Sequence, residues 1–226
     1  MFPSVSKKTW HIRIPIIVCL AAVSVIGLFI FQSRPPLLKA SAKRARVRWV
    51  SDGDTIVLAD GERVRYVGIN APEIGHDGLP SEPYGDEAKV FNRNLVLGRW
   101  VNIESADNQR DQYGRVLAYV FLEDGTFVNG ELVRSGYAHL LRRQSKLRYW
   151  KRLLELQRQA LCEKRGIWSL AAVDPENNYL GNQNSWVFHR PDCPFGLKTA
   201  PRNRVRFGDR HQPLYLGYSP CRGCRP

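Results

Sequence analysis

Apolar and polar positions alternate with a period of two in several short runs of this chain, and with a period near 3.6 in three longer ones. Thr55–Leu58 and Val64–Ile69 are alternating runs joined by Ala59-Asp60-Gly61-Glu62, the pattern of a β-hairpin with a glycine-containing loop. Trp100–Glu104 and Val116–Phe121 also read as strands, and Arg46 and Arg48 belong to a strand that precedes the hairpin. Gly85–Gly98 reads as a helix, with Ala88, Phe91 and Leu95, joined by Val90 and Leu97, on its apolar side and Gly98 as its stop. Phe127–Ser135 is a short helix closed by Gly136. Tyr149–Glu163 is a longer one whose apolar side is Trp150, Leu153, Leu154, Leu156 and Leu161. Five short strands with interposed helices suit an α+β fold built on a small closed barrel.

The ends of the chain follow other patterns. Ile14 to Phe31 is an uncharged run of 18 residues, about 27 Å as a helix and close to the roughly 30 Å core of a bilayer. The expectation is a transmembrane anchor over residues 1–34, with a cleaved signal peptide ending near Ala40-Ser41-Ala42 as the alternative. Three Lys/Arg precede the run and six follow it up to residue 48, so charge leaves the orientation open. A single-pass membrane protein with its folded parts outside the cytoplasm is the expectation. Residues 35–44 form a basic linker opened by Pro35-Pro36, and residues 172–183 a second, polar linker.

Composition narrows the partner. In 226 residues the net charge is +13, which excludes an acidic solvating protein and points to a polyanion or an acidic membrane surface. Of five cysteines, Cys19, Cys162, Cys193, Cys221 and Cys224, three cluster near the C-terminus. With His189 they form H-x3-C-x27-C-x2-C, a spacing that suits a tetrahedral Zn2+ site in residues 184–226 better than a disulfide framework. A Cys221–Cys224 disulfide is the rival. From Tyr179 to Pro226 there are eight Lys and Arg against two Asp, the charge of a phosphate-backbone clamp.

Folding the hairpin gathers carboxylates from both of its ends. Asp52 and Asp54 stand before the first strand, Glu73 after the second, and Arg65 within it. Hydrolysis of a phosphodiester needs a deprotonated water and neutralisation of charge on the phosphoryl oxygens. A hard cation held by oxygens and arginine forks do the latter. Asp54 suits the cation, Glu73 the water, and Arg65 and Arg115 the phosphate.

The order Asp52-Gly53-Asp54-Thr55, then Arg65-x3-Ile69-x-Ala71-Pro72-Glu73, then Asp111-Gln112-Tyr113-Gly114-Arg115, resembles the staphylococcal nuclease (thermonuclease) family. The resemblance implies a five-stranded OB-type barrel with about three helices over residues 45–171. It implies that Asp54 is a metal ligand and that Arg65, Glu73 and Arg115 are catalytic. Asp52 would support the metal ligand, while Asp111 and Tyr113 would border the substrate. A second metal carboxylate is usual three residues before the glutamate; here that position is Asn70, a neutral donor, beside the Ala71 backbone carbonyl. Calcium is the expected cation. The stretch Arg142-Arg143-Gln144 lacks the tyrosine pair that packs on a nucleotide in the best-known member.

Residues 184–226 resemble the N-terminal zinc domain of the bacterial methyl-phosphotriester repair protein Ada, through Phe188, His189/Cys193, Gly217-Tyr218, Pro220-Cys221, Cys224 and Pro226. His189 stands where that pattern has a cysteine, which implies a structural zinc rather than a methyl acceptor. The expected activity is endonucleolytic hydrolysis of DNA or RNA, tethered to a membrane. The alternative is a nucleic-acid-binding module with weak catalysis.

Overall fold

The computed structural model describes residues 42–76, 78–142, 147–170 and 178–226, with the backbone alone at 107–109. The apolar run at 14–31 lies outside them, as do Arg143 and Gln144. Among the described residues no helix is long and apolar enough to cross a membrane.

The chain runs β1 (Lys43–Asp52), β2 (Thr55–Leu58), β3 (Arg63–Tyr66), β4 (Ile69–Asn70), α1 (Gly85–Val96), β5 (Trp100–Arg110), β6 (Val116–Leu122), α2 (Val128–Arg134), β7 (His139–Leu140) and α3 (Trp150–Cys162). Five strands close a barrel in the order β1-β2-β3-β6-β5, with β5 returning to β1. Neighbours are antiparallel except β3 and β6, which are parallel. The OB-type barrel expected from the sequence is therefore present. Its interior is filled by Val47, Ile56, Leu58, Val64, Tyr66, Ile103, Ala118 and Val120, each at most 3% exposed. Burying a large apolar side chain contributes about 1.5–3 kcal/mol. Asn129 on α2 braces the parallel pair: its Oδ1 accepts from Val120 N at 2.9 Å and its Nδ2 donates to Val67 O at 3.0 Å.

Three expectations need correction. The second hairpin strand stops at Tyr66 and not at Ile69, because Gly68 adopts φ +82°, a left-handed turn that breaks the ladder. Ile69 and Asn70 pair instead with Leu140 and His139. On α1, Val90 and Leu97 face solvent, while Asn92 and Val96 face the core. Asn92 is there for its hydrogen bonds: Oδ1 accepts from Tyr66 Oη at 2.9 Å and Nδ2 donates to Asp52 O at 3.1 Å.

The third correction concerns the polar linker. Its second half is β8 (Tyr179–Asn182), the strand between β9 (Val187–His189) and β10 (Arg204–Phe207) in a second sheet. β11 (Ser219–Pro220) adds parallel to β9, and two short helices, α4 (Pro194–Leu197) and α5 (His211–Leu216), complete the tail. Ala160, Leu161 and Trp168 share a core with Tyr179, Phe188, Phe207, Leu214 and Tyr218 of this tail. Arg142 lies between the rings of Trp150 and Trp186, at 4.2 and 3.7 Å from their centroids.

Gln157 ties the two parts together. It is fully buried, accepts from Leu140 N at 2.7 Å and donates to Leu214 O at 2.7 Å. Replacing it by leucine leaves two buried backbone groups unsatisfied, at about 1–3 kcal/mol each. Gln157→Leu is expected to lower the melting temperature of residues 42–226 by several degrees within a single transition. Two separated transitions in the parent protein would show that tail and barrel melt independently.

Candidate active site

The site grows from the turn between β1 and β2. Asp52 ends β1, and its Oδ1 accepts from Asp54 N at 2.9 Å, holding Asp54 inward. Gly53 sits between them because the turn is crowded. A Cβ there would lie 2.6 Å from Ala71 Cβ and 2.8 Å from Ala88 Cβ. Asp54 is only 6% exposed. Its Oδ2 accepts from Ala71 N at 2.8 Å and pairs with Arg65 Nη2 at 2.9 Å.

Arg65 is equally buried, and its guanidinium is fixed by several oxygens. Nη1 donates to Tyr66 O and Ile69 O, at 2.6 and 2.9 Å, and Nη2 to Asn70 Oδ1 at 3.1 Å. The chain beyond Gly68 thus returns onto the arginine of its own hairpin. Asn70 Nδ2 in turn donates to Ala71 O at 3.1 Å.

Arg115 reaches the same place from the loop that enters β6. Asp111 shapes the approach loop: its Oδ1 accepts from Tyr113 N and Arg115 N, and its Oδ2 pairs with Arg115 Nε at 2.8 Å. Gly114 takes φ +74°, which closes the turn. Arg115 Nη1 then donates to Thr55 Oγ1 at 3.3 Å, and Thr55 Oγ1 donates to Asp54 Oδ1 at 3.3 Å. Tyr113 is 68% exposed, with Arg115 at 5.4 Å from its ring centroid. Arg65, Asp111, Tyr113 and Arg115 line one cavity of about 290 Å³.

Glu73 occupies a different position. It is exposed and lines a neighbouring cavity of about 420 Å³ with Asn70, Glu82 and His139. Its backbone is fixed by Glu82, whose Oε2 accepts from Glu73 N at 3.0 Å. The structure therefore brings Asp54, Arg65, Asn70, Ala71, Asp111 and Arg115 into one bonded network. It places Glu73 beside that network without a hydrogen bond to it among the described residues.

Burial pushes the Asp54 carboxyl up to about 7; Arg65 opposes the shift and Asp52 adds to it. Burial also pushes Asp111 up, but its bonds from Arg115 and Tyr113 outweigh that and leave it below the usual carboxylate range. His139 is pushed down to about 4 by burial, with Arg210, Arg222 and Arg65 nearby adding to the shift, so its imidazole is neutral at pH 7.

Residues 63–170 match the family described as Staphylococcal nuclease homologue. The chain is 33% identical over 162 residues to the thermonuclease of Staphylococcus hyicus, a match covering 68% of this chain and 95% of that protein. This chain belongs to the staphylococcal nuclease family. It is also 38% identical over 151 residues to a protein of Escherichia coli named Uncharacterized endonuclease, covering 66% of this chain and 90% of that one. Endonuclease YncB of Bacillus subtilis is 33% identical over 135 residues, covering 58% and 64%. The nuclease-family match spans Arg65, Asn70, Glu73 and Arg115 and ends before the tail.

The tail of this family member gathers its own cluster. The ligand atoms of His189, Cys193, Cys221 and Cys224 all lie within 4.8 Å of one another. Cys193, Cys221 and Cys224 are free thiols, so Cys221 and Cys224 form no disulfide. Cys193 Sγ lies 3.5 Å from His189 Nδ1, and Arg190 N donates to Cys224 Sγ at 3.3 Å. Burial and the neighbouring sulfurs push the Cys224 thiol up to about 12.

Thr55, His139 and Arg222, which the sequence pattern does not assign to the site, also lie beside the candidate residues. Arg222 Nη2 donates to Asn70 Oδ1 at 2.8 Å, and Arg225 pairs with Glu82 at 3.1 Å. Thr55, which follows Asp54 directly, was the detectable one. Nothing local marks the other two.

The raised Asp54 value has a measurable sign. An unfolded aspartate titrates near 3.9. Protonation therefore stabilises the folded form, a contribution fully present below about pH 4 and lost as pH rises through about 7. Without divalent cations, the stability of the wild type relative to Asp54→Asn should fall between pH 4 and 7, as read by denaturant titration. A flat difference would mean that Asp54 keeps an ordinary carboxylate pKa.

Proposed function

We propose that this protein is an endonuclease that hydrolyses phosphodiester bonds of nucleic acid. The observation that carries the reading is the meeting of two arginines, Arg65 on β3 and Arg115 just before β6, around Thr55 and Asp54 at the mouth of the barrel. Both are aimed by carboxylates, and both line one cavity. In the mechanism they flank the scissile phosphate and take up the charge that grows on its non-bridging oxygens. Glu73 accepts a proton from the attacking water. The oxygen of that water bonds to phosphorus while the bond to the leaving oxygen breaks. Tyr113 offers an exposed ring to the adjoining nucleotide.

The donor set around Asp54 fits a hard divalent cation, with calcium as the proposed ion. Asp54, Asn70 Oδ1 and the Ala71 carbonyl are all oxygens, and the buried Asp54 carboxylate is incompletely compensated; Asn70 Oδ1 accepts from Arg65 and Arg222 and would have to release one of them to bind the cation. When bound, the cation supplies further neutralisation of phosphoryl charge. With one carboxylate and one amide the site carries a single formal charge, so its affinity should be modest. That deficit is what favours the second reading, a nucleic-acid-binding module with slow hydrolysis.

His189, Cys193, Cys221 and Cys224 have the donor chemistry of a structural Zn2+ site, resembling the Ada zinc domain. Burial, with the neighbouring sulfurs adding, holds the Cys224 thiol up, and a bound cation would favour its thiolate. Residues 14–31 are proposed to anchor the chain in a membrane, with the enzyme outside the cytoplasm. Carbonate extraction of the full chain from membranes would remove it if the anchor is absent.

Glu73→Gln should leave folding intact and cut turnover on plasmid DNA or RNA at least about a hundredfold. Arg115→Lys should also be damaging, since lysine forms no bidentate phosphate contact. Equal rates in parent and variants would overturn these roles. Cation affinity should weaken as pH falls below about 7, because Asp54 must shed its proton to bind.

Elemental analysis tests the tail separately. About one zinc per chain is expected, lost in Cys221→Ser/Cys224→Ser. A metal-free parent protein would remove the zinc assignment.

A further inference from the structure

The turn that carries Cys221 and Cys224 also reaches the catalytic cleft. Arg222 donates to Asn70 Oδ1 at 2.8 Å, and Arg65 donates to the same oxygen at 3.1 Å. One neutral amide oxygen therefore holds two guanidiniums. Arg65 has Asp54 as its counter-charge and Arg115 has Asp111. Among the described residues Arg222 is paired with no carboxylate, and it is exposed. Like charges gathered around a neutral oxygen repel, and an anion between them relieves the repulsion.

The position of Arg222 is as informative as its charge. It lines the cavity that holds Arg65, Tyr113 and Arg115, and also the cavity that holds Asn70 and Glu73. Among the described residues no other is common to both linings. A strand whose scissile phosphate sits between the two catalytic arginines and Glu73 must pass it. Arg210 and Arg225 also line the second cavity, the latter paired with Glu82.

We infer that Arg222 is a third phosphate-contacting arginine of the active centre, delivered by the Cys221–Cys224 turn, so that the tail completes the substrate cleft. Its ligand is a phosphodiester anion of the nucleic acid strand, at or next to the scissile bond. The inference rests on the nuclease reading above. The bland alternative is that Arg222 only pins the tail to β4 through Asn70.

The test uses the full chain. Affinity for a short single-stranded oligonucleotide is measured against salt with no divalent cation added, and turnover with calcium. Arg222→Ala should reduce the slope of log K against log salt by about 0.7, the value for one lost phosphate contact on a single strand. It should also slow turnover by about tenfold or more. Arg222→Lys should recover the slope but only part of the rate. Arg206→Ala, on the exposed side of β10 and in neither cavity lining, should cost no turnover.

An unchanged slope and rate in Arg222→Ala, whatever happens to its melting temperature, would reduce the residue to a pin and overturn the inference. Faster turnover with tighter calcium binding would also overturn it, by showing that Arg222 obstructs the cation. Cys221→Ser/Cys224→Ser should be as slow as Arg222→Ala, and the triple variant no slower. A cysteine variant with parental turnover would refute delivery by the turn. If the parent protein binds strands with an Arg222-dependent slope yet cleaves none, the nuclease reading fails while the contact stands.

Discussion

The site depends on one buried ion pair. Asp54 and Arg65 are each almost fully removed from water, and each is held by further hydrogen bonds from backbone or side chain. Removing one member of such a pair strands the other charge, at about 3–5 kcal/mol. The pair sets more than stability. Arg65 collects the carbonyls of Tyr66 and Ile69, so the chain after Gly68 must fold back over it. Asp54 collects the Ala71 amide, which draws Asn70 and Ala71 to the barrel mouth. Glu73, two residues further on, then lines the neighbouring cavity. A pair that is costly to bury is retained where it organises both the loop geometry and the charge that a phosphate meets.

Much of this was legible in the sequence because the determinants are local. Alternation located the barrel strands, and the Asp52–Glu73 and Asp111–Arg115 stretches contain the residues that aim Asp54, Arg65 and Arg115. The failures share a cause. Hydrophobic periodicity assigns Val90 and Leu97 to the core of α1, but Asn92 takes the inward position because Tyr66 and Asp52 supply its partners. Gln157 is hidden in the same way on α3. Buried polar residues are specified by their partners, and partners far along the chain leave no local signature. Arg222 is the extreme case, 152 residues from the asparagine it meets.

The basic character of the chain also acquires a structure. Several arginines are neutralised on the surface: Arg44 by Glu123, Arg110 by Glu62, and Arg148 by the buried Glu104. Around the cleft the balance differs. Arg65 and Arg115 each have a carboxylate that aims them, whereas Arg222 has a neutral amide. Net charge alone promises only non-specific attraction to polyanions. The distribution leaves Arg222 without a carboxylate beside the proposed phosphodiester site.

The shared core explains why the tail can act in that cleft at all. An arginine at the end of a mobile appendage loses about 2 kcal/mol of rotamer freedom when it is fixed, besides the freedom of the segment that carries it. Here much of that cost is met on folding. Phe188, Leu214 and Tyr218 pack with Ala160, Leu161 and Trp168, while Ser219 Oγ donates to Leu140 O at 3.0 Å and accepts from Arg142 N at 3.1 Å. Two residues beyond Ser219, Cys221 enters the four-ligand cluster, and Arg222 follows it directly. The backbone before Arg222 is thus fixed by the barrel, and the proposed zinc site would fix the turn around it. If the four ligands hold the proposed zinc, the spacing that reads as a structural staple on its own would also set where Arg222 meets Asn70.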